Sequence, residues 1–274
     1  NQEAWKNNFP ADYIAEGVDQ TRGWFFTLHA LGTMLFDSVA YKNVIANGLV
    51  LDKKGNKMSK RLNNAIDPFK TIDQYGADAV RWYLLTNSSP WDNLKFDLEG
   101  VAEVQRKFFG TLSNTYAFMA LYANVDGYTY NESNACAHSL RSELDQWIIS
   151  KLNSLVLTVE ESMEDYDPTR AGRAIMGFVT DHLSNWYVRL SRRRFWKSQA
   201  SEDKKAAYDT LFECLERISV LMASISPFYS EWLYQALHGS EERSVHLTEF
   251  PKVNHELINH ELEESMSIAQ QTCS

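Results

Sequence analysis

The densest chemistry in these 274 residues lies in one stretch, 52-DKKGNKMSKRLNN-64. It carries Lys53, Lys54, Lys57, Lys60 and Arg61 in a chain of formal net charge -9. A lysine is a compact cation on a flexible stem, protonated near neutrality because its reference pKa is about 10.4. Lys57 and Lys60 are spaced K-x-x-K after Gly55, which permits a tight turn. Such cations suit a triphosphate. As the bond at the α-phosphorus breaks, the departing pyrophosphate gains charge, and a positioned ammonium stabilises that state more than the ground state. The plain alternative is a solvated basic turn, the ordinary meaning of such a cluster by composition alone. No G-x-x-x-x-G-K-[ST] occurs, so this is not a P-loop.

A second cationic group lies at 184-SNWYVRLSRRRFWK-197. On an α-helix Arg189, Arg193 and Lys197, four apart, form one stripe with Arg192 beside it, and Leu183, Trp186 and Leu190 form an adjoining apolar face. Arginines with Trp186, Tyr187 and Trp196 beside them match phosphate contact with aromatic support. Arg170 and Arg173 on preceding turns extend the patch. The alternative is an outer face whose charges pair with nearby carboxylates.

Two kinds of element must position these groups. The first ninety residues alternate apolar runs with helical text: 13-YIAEG-17, a helix-like 20-QTRGWFFTLHALGTMLF-36, then 43-NVIANGLVLD-52. Strand, helix, strand implies a parallel pair from an α/β sheet, and two strands do not make a stable sheet alone. Asp67-Pro68 opens a helical segment through Thr86, and 87-NSSPWDNLKF-96 reads as a loop. From Asp97 the text is helical: a long amphipathic helix through Val101, Val104, Phe108, Leu112 and Met119, then one carrying Leu144 to Met163. Further helices open at Asp167-Pro168, Ser201 and Ser226-Pro227. This predicts a mainly α chain, a partial Rossmann-like α/β segment followed by an antiparallel helical bundle. The polar, acidic residues 253–274 have weak periodicity and doubtful order. The expected domains are 1–64, a connecting helical segment 65–96, and 97–274.

A chain this acidic is no nonspecific polyanion binder, so any nucleic acid must meet local basic patches. No window approaches the roughly 18 apolar residues of a membrane span. Cys136, Cys214 and Cys273 have neither CxxC spacing nor nearby histidine pairs, which points to a reducing cytoplasm and to no zinc site or disulfide framework.

The order of residues in the basic stretch is specific. 57-KMSKR-61 resembles the KMSKS-type signature of class I aminoacyl-tRNA synthetases, with Arg in place of the commoner final Ser. Upstream, 16-EGVDQTRGWF-25 resembles the adenylate-binding segment of the isoleucyl branch, and 47-NGLVLD-52 the strand leading to the signature loop. The valyl, leucyl and methionyl siblings share the loop, so DQTRGWF separates them. The likeness continues through 65-AIDPFKTIDQYGADAVRWYLL-85 into the helical part, covering essentially the whole chain.

The resemblance implies that Glu16, Gly17, Asp19 and Gln20 contact an aminoacyl-adenylate, and that Gly48 and Val50 lie near adenine. It makes Lys57, Met58, Ser59 and Lys60 the ATP loop, with Lys57 and Lys60 catalytic, and Trp24 a wall of the isoleucine pocket. The helical part would bind tRNA(Ile) through Arg189, Arg192, Arg193 and Lys197. ATP with Mg2+ and isoleucine are the implied substrates. From the residues alone, a carboxylate at a strand's C-terminal end suits a ribose diol. Without the resemblance Asp19 reads first as a plain helix N-cap, a role compatible with ligand contact, and Trp24 as core. The family's other signature, HIGH, is absent, since 29-HALG-32 has the wrong spacing and lies in a helix. The expectation is therefore the C-terminal part of a catalytic domain plus an anticodon-binding domain, lacking the N-terminal catalytic half and unable to activate isoleucine alone. The alternatives are a noncatalytic tRNA-binding module and a piece of the valyl enzyme.

Overall fold

The computed structural model describes residues 2–59, 61, 64–196, 201–239 and 243–273. The chain is mainly helical and divides into two units, 1–68 with 87–98, and 69–86 with 99–274. The segment 65–96 is therefore shared between them rather than standing apart as a connector.

In the first unit, α1 (Gln2–Asn8) precedes β1 (Ala11–Gly17), a short 3-10 turn at Val18–Arg22, α2 (Trp24–Phe36) and β2 (Tyr41–Asn47). β1 and β2 pair in parallel, in register from Ala11 opposite Tyr41 to Gly17 opposite Asn47. The strand, helix, strand reading therefore holds. Tyr41 donates its hydroxyl hydrogen to the Phe25 carbonyl at 3.1 Å, tying α2 to β2.

The run 43–52 is not one strand. It breaks after Asn47, and Val50–Leu51 forms β3, which pairs in parallel with β4 (Leu94–Lys95) in the stretch expected to be a loop. The chain changes partner at Gly48. Its N–H donates to the Pro90 carbonyl at 2.9 Å, and the Leu49 N–H donates to Asn93 Oδ1 at 2.8 Å. A Cβ at Gly48 would sit 2.1 Å from the Asp92 carbonyl oxygen, so only glycine permits this approach.

The second unit contains α3 (Pro68–Tyr75) from Phe69 on, α4 (Ala77–Thr86), and a continuous helix built of α5 (Leu98–Glu103), a π segment Val104–Phe109 and α6 (Gly110–Asp126). Then follow α7 (Glu143–Glu164), α8 (Pro168–Gly177), a second π segment Phe178–Val188, α9 (Arg189–Trp196), α10 (Glu202–Met222), α11 (Pro227–His238) and α12 (His260–Cys273). α7, α8 and α10 pack around a core in which Trp147, Ile148, Leu152, Ile175 and Leu211 are essentially inaccessible. Trp82 of α4 stacks on Phe108 at 4.5 Å.

The N-caps follow ordinary rules. Ser142 and Asp145 form a capping box on α7, Asp167 accepts from the Arg170 N–H at 3.0 Å, and Ser201 accepts from the Lys204 N–H at 3.1 Å. Ser226 departs from expectation: its side chain makes no cap bond, and the Asp78 carboxylate of α4 accepts from the Tyr229 N–H instead. The C-terminal segment is likewise ordered. Glu263 of α12 accepts from the hydroxyls of Ser150 at 2.6 Å and Ser154 at 2.8 Å, and faces Lys151 Nζ at 3.4 Å, so α12 is docked on α7 by side chains too far off in sequence for its own periodicity to reveal.

Candidate functional site

The C-terminal ends of β1 and β2 lie side by side, which brings two of the expected segments together. Ligands of open α/β sheets bind at this end of the strands. Glu16 is next to last in β1 with its side chain exposed, and Gly17 ends the strand. Gly17 has φ -59° and needs no glycine for its backbone. What it supplies is space: a Cβ there would lie 2.6 Å from Asp19 Oδ1, which folds back over it. Asp19 lies in the first turn of the 3-10 segment, exposed, and is not the N-cap of α2.

Gln20 acts locally, its Oε1 accepting from the Trp24 N–H at 2.8 Å and so starting α2. An adenylate contact would fall to its remaining amide. Trp24, first residue of α2, is 50% exposed in this chain rather than part of its core. Gly48 is half-buried, and Val50 is exposed on β3.

From β3 the basic stretch turns as a hairpin. Leu51 and Lys57 form an antiparallel bridge, the Gly55 N–H donates to the Asp52 carbonyl at 2.8 Å, and Gly55 has φ +85°, the left-handed conformation for which glycine is suited. Lys53, Lys54, Lys57 and Arg61 point to solvent, and Met58 and Ser59 are half-buried. Lys60 lies outside the described residues.

One residue that charge counting overlooked organises this turn. Asp52 Oδ1 accepts from the N–H groups of Lys54 at 2.9 Å and Asn56 at 2.8 Å, and Oδ2 accepts from Asn64 Nδ2 at 3.0 Å. These bonds, led by that from Asn56, hold its carboxyl below the usual range. Asn64 in turn accepts from the Ser59 N–H at 2.9 Å and donates to the Lys57 carbonyl at 3.3 Å. The D-x-x-G turn signal was legible in the sequence, but the tie to Asn64, twelve positions on, was not.

In the second unit the arginine run divides. Arg189, Arg192 and Arg193 are exposed on α9, and none forms an ion pair with a described residue. Arg194 is a structural residue: its guanidinium makes two bonds of 2.7 Å to Asp145, whose side chain is inaccessible, and reaches Asp203 at 2.8 Å. Burial drives the Asp145 carboxyl up, but the bonds from Arg194, Tyr187 and Ser142 outweigh it and leave the group below its ordinary range.

Tyr187, expected beside the phosphates, is wholly buried with its hydroxyl on Asp145 at 2.6 Å. Trp186 is half-buried, its indole N–H on Met266 Sδ at 3.2 Å. Leu190, expected on the apolar face, is 54% exposed. The cause is the π segment before α9, whose i→i+5 bonding adds a residue per turn and carries the helical stripe out of register. Trp196 is exposed at the far end. Arg170 faces Glu161 at 3.8 Å, and Arg173 donates to the Thr86 carbonyl, so these two do not form a free extension of the patch. Lys197 lies outside the described residues.

Residues 1–97 match the model of class I tRNA synthetases (I, L, M and V), and residues 145–274 that of the anticodon-binding domain of tRNA ligases. The isoleucine-tRNA ligase of Cytophaga hutchinsonii is 60% identical over the whole chain, and that of Bacteroides thetaiotaomicron 61% over 97% of it. The chain belongs to the isoleucine-tRNA ligase family. It spans about a quarter of the length of these relatives, 25% and 23% respectively, and the isoleucine-tRNA ligase of Thermus thermophilus is still 44% identical over 96% of it.

The fold is shared with a solved LeuRS chain of Agrobacterium radiobacter K84, from a ternary LeuRS-tRNA-LeuAMS complex. The TM-score is 0.67 at 21% identity, over 91% of this chain and 29% of that one. Membership of the isoleucine branch favours that family over the valyl sibling. Among the described residues no three His, Cys, Asp or Glu side chains converge as metal ligands, and no helix is long and apolar enough to cross a membrane.

Proposed function

We propose that this chain supplies part of the isoleucine-activating site and an RNA-binding helical face to an ATP-dependent isoleucine-tRNA ligase. The observation that carries the reading is convergence: Glu16 to Gln20 and Gly48 to Val50 meet at the C-terminal ends of two parallel strands, and the basic hairpin leads directly from the second segment. In activation, an isoleucine carboxylate oxygen attacks the α-phosphorus of ATP and pyrophosphate leaves. A ribose hydroxyl of tRNA(Ile) then takes the acyl group and AMP leaves.

Lys57 and Lys60 are assigned to the charge that grows on pyrophosphate. Asp19 or Glu16 is assigned to the ribose diol, Gly48 to backbone approach to adenine, Met58 and Ser59 to the nucleotide, and Trp24 to the isoleucine side chain. Magnesium enters with the nucleotide substrate. Arg189, Arg192, Arg193 and Lys197 contact tRNA phosphates. The free thiols of Cys136, Cys214 and Cys273 fit a cytoplasmic setting.

The test is isoleucine-dependent ATP-pyrophosphate exchange by the full-length enzyme carrying this segment. Lys57→Ala and Lys60→Ala are each expected to lower kcat by about 10²–10³, the loss typical of one donor to developing charge. Unchanged exchange in both variants would leave the noncatalytic RNA-binding reading.

A further inference from the structure

Activation chemistry gives a role to the cations of the hairpin but none to Asp52 or Asn64. We propose that Asp52 and Asn64 form a latch that fixes the main chain on both sides of Lys57, making them positioning residues for the phosphate-facing loop. The proposal rests on the activation reading for its catalytic consequence, while its structural half stands alone.

Four hydrogen bonds carry it. Asp52 Oδ1 takes the N–H groups of Lys54 and Asn56, closing the turn before Lys57. Asp52 Oδ2 takes one amide hydrogen of Asn64, and Asn64 Oδ1 takes the Ser59 N–H, holding the chain after Lys57. The longer Asn64 contact to the Lys57 carbonyl, and the Leu51–Lys57 bridge, put Lys57 itself between the two clamps. A carboxylate at position 52 is the suitable acceptor, since an ionised group has no hydrogen to misdirect toward the surrounding donors and strengthens each bond. A flexible lysine gains catalytic effect only if its stem starts from a fixed point, because preorganised charge needs no rearrangement at the moment of reaction.

The geometry makes the two residues reciprocal. Asp52→Asn keeps an oxygen for Lys54 and Asn56 but turns an NH2 toward the NH2 of Asn64, so Asn64 is released. Asn64→Asp sets a second carboxylate against the first. The double exchange, Asp52→Asn with Asn64→Asp, restores a donor facing an acceptor between the two positions at unchanged net charge, giving up only the longer contact to the Lys57 carbonyl, for which a carboxylate has no hydrogen.

Amide hydrogen exchange on the full-length enzyme reads the latch without reference to activity. Asp52→Asn should speed exchange at Ser59 by about 3- to 10-fold, the range of one ordinary hydrogen bond, and leave Lys54 and Asn56 protected. Asp52→Ala should deprotect all three. In pyrophosphate exchange each single variant should lower kcat by a similar factor with KM for isoleucine unchanged, and the double variant should recover most of both losses, a coupling that independent effects do not produce.

Protection at Ser59 that is unchanged in Asp52→Asn, or losses that simply add in the double variant, would overturn the latch. Altered protection with no effect on exchange kinetics would overturn its positioning role. Failure of the activation reading shows separately, as exchange that is indifferent to Lys57→Ala and Lys60→Ala.

Discussion

Replacing Arg194 tests whether the arginine run on α9 divides as its geometry indicates. Arg194→Met keeps the length of the stem and removes the guanidinium, leaving Asp145, with 0% of its side chain exposed, beside only Tyr187 and Ser142. Removing one partner of a buried pair strands the other charge and costs about 3–5 kcal/mol. Arg193→Ala, one position away and exposed, should stay within about 0.5 kcal/mol of wild type. Urea denaturation followed by far-ultraviolet circular dichroism measures both in this mainly helical chain.

Adding Asp145→Asn to Arg194→Met should recover part of the loss, because a neutral amide needs no counter-charge. The pH dependence has a definite sign. The Asp145 carboxyl is lowered in the folded chain, so its contribution is complete above the unfolded carboxylate pKa of about 3.9 and is lost as pH falls through the lower folded value. In Arg194→Met the guanidinium no longer lowers the carboxyl and burial is opposed only by the bonds from Tyr187 and Ser142, so the Asp145 carboxyl rises relative to wild type and the gap between the two proteins should narrow as the medium is acidified. Equal stability of Arg193→Ala and Arg194→Met, or a gap that widens in acid, would refute the reasoning.

Charge removal at Arg189, Arg192 and Arg193 should weaken tRNA binding and lower the slope of log K against log salt by about 1 per lost phosphate contact, measured by titration at several salt concentrations. Unchanged affinity and slope would make the three a solvated face. Gly48→Ala forces a methyl against the backbone of Asp92 and Asn93, which cannot swing aside as a side chain would, and should cost about 1–3 kcal/mol or more by thermal unfolding. Gly110→Ala, whose Cβ meets only the Gln105 carbonyl at 3.6 Å, should instead be neutral or stabilising by up to about 1 kcal/mol.

Local signals carried most of the fold into the sequence. The Asp167-Pro168 and Ser201 caps and the apolar periodicity of α7 follow from residues within a few positions of one another, and the parallel β1–β2 pair follows from the order in which locally readable strand and helix patterns succeed one another. What could not be read that way depends on distant partners. β4 exists because 90–95 lies against 48–51, α11 is capped by Asp78 from 151 residues upstream, and α12 is ordered by a carboxylate seated on α7. A π segment shifts register without any change of composition, so Leu190, expected on the apolar face, is exposed alongside Arg189, Arg192 and Arg193 on α9.

The same contrast separates the two cationic sites. In 189-RLSRRR-194 the residue types are alike, and only direction around the helix decides which arginine meets water and which meets Asp145. Steps of about 100° per residue turn Arg194 away from Arg193, and no count of charges registers that turn. In the hairpin the described cations are all on the surface, and the selection is made by neutral and acidic neighbours. Asp52 and Asn64 bond the main chain on both sides of Lys57, whereas Lys53 sits within the turn that Asp52 closes, with its side chain in solvent. In both places a carboxylate sorts the cations near it, Asp145 of α7 by taking Arg194 out of the exposed run and Asp52 by bonding the main chain ahead of Lys57, so charge pattern marks where to look and hydrogen bonding assigns the roles.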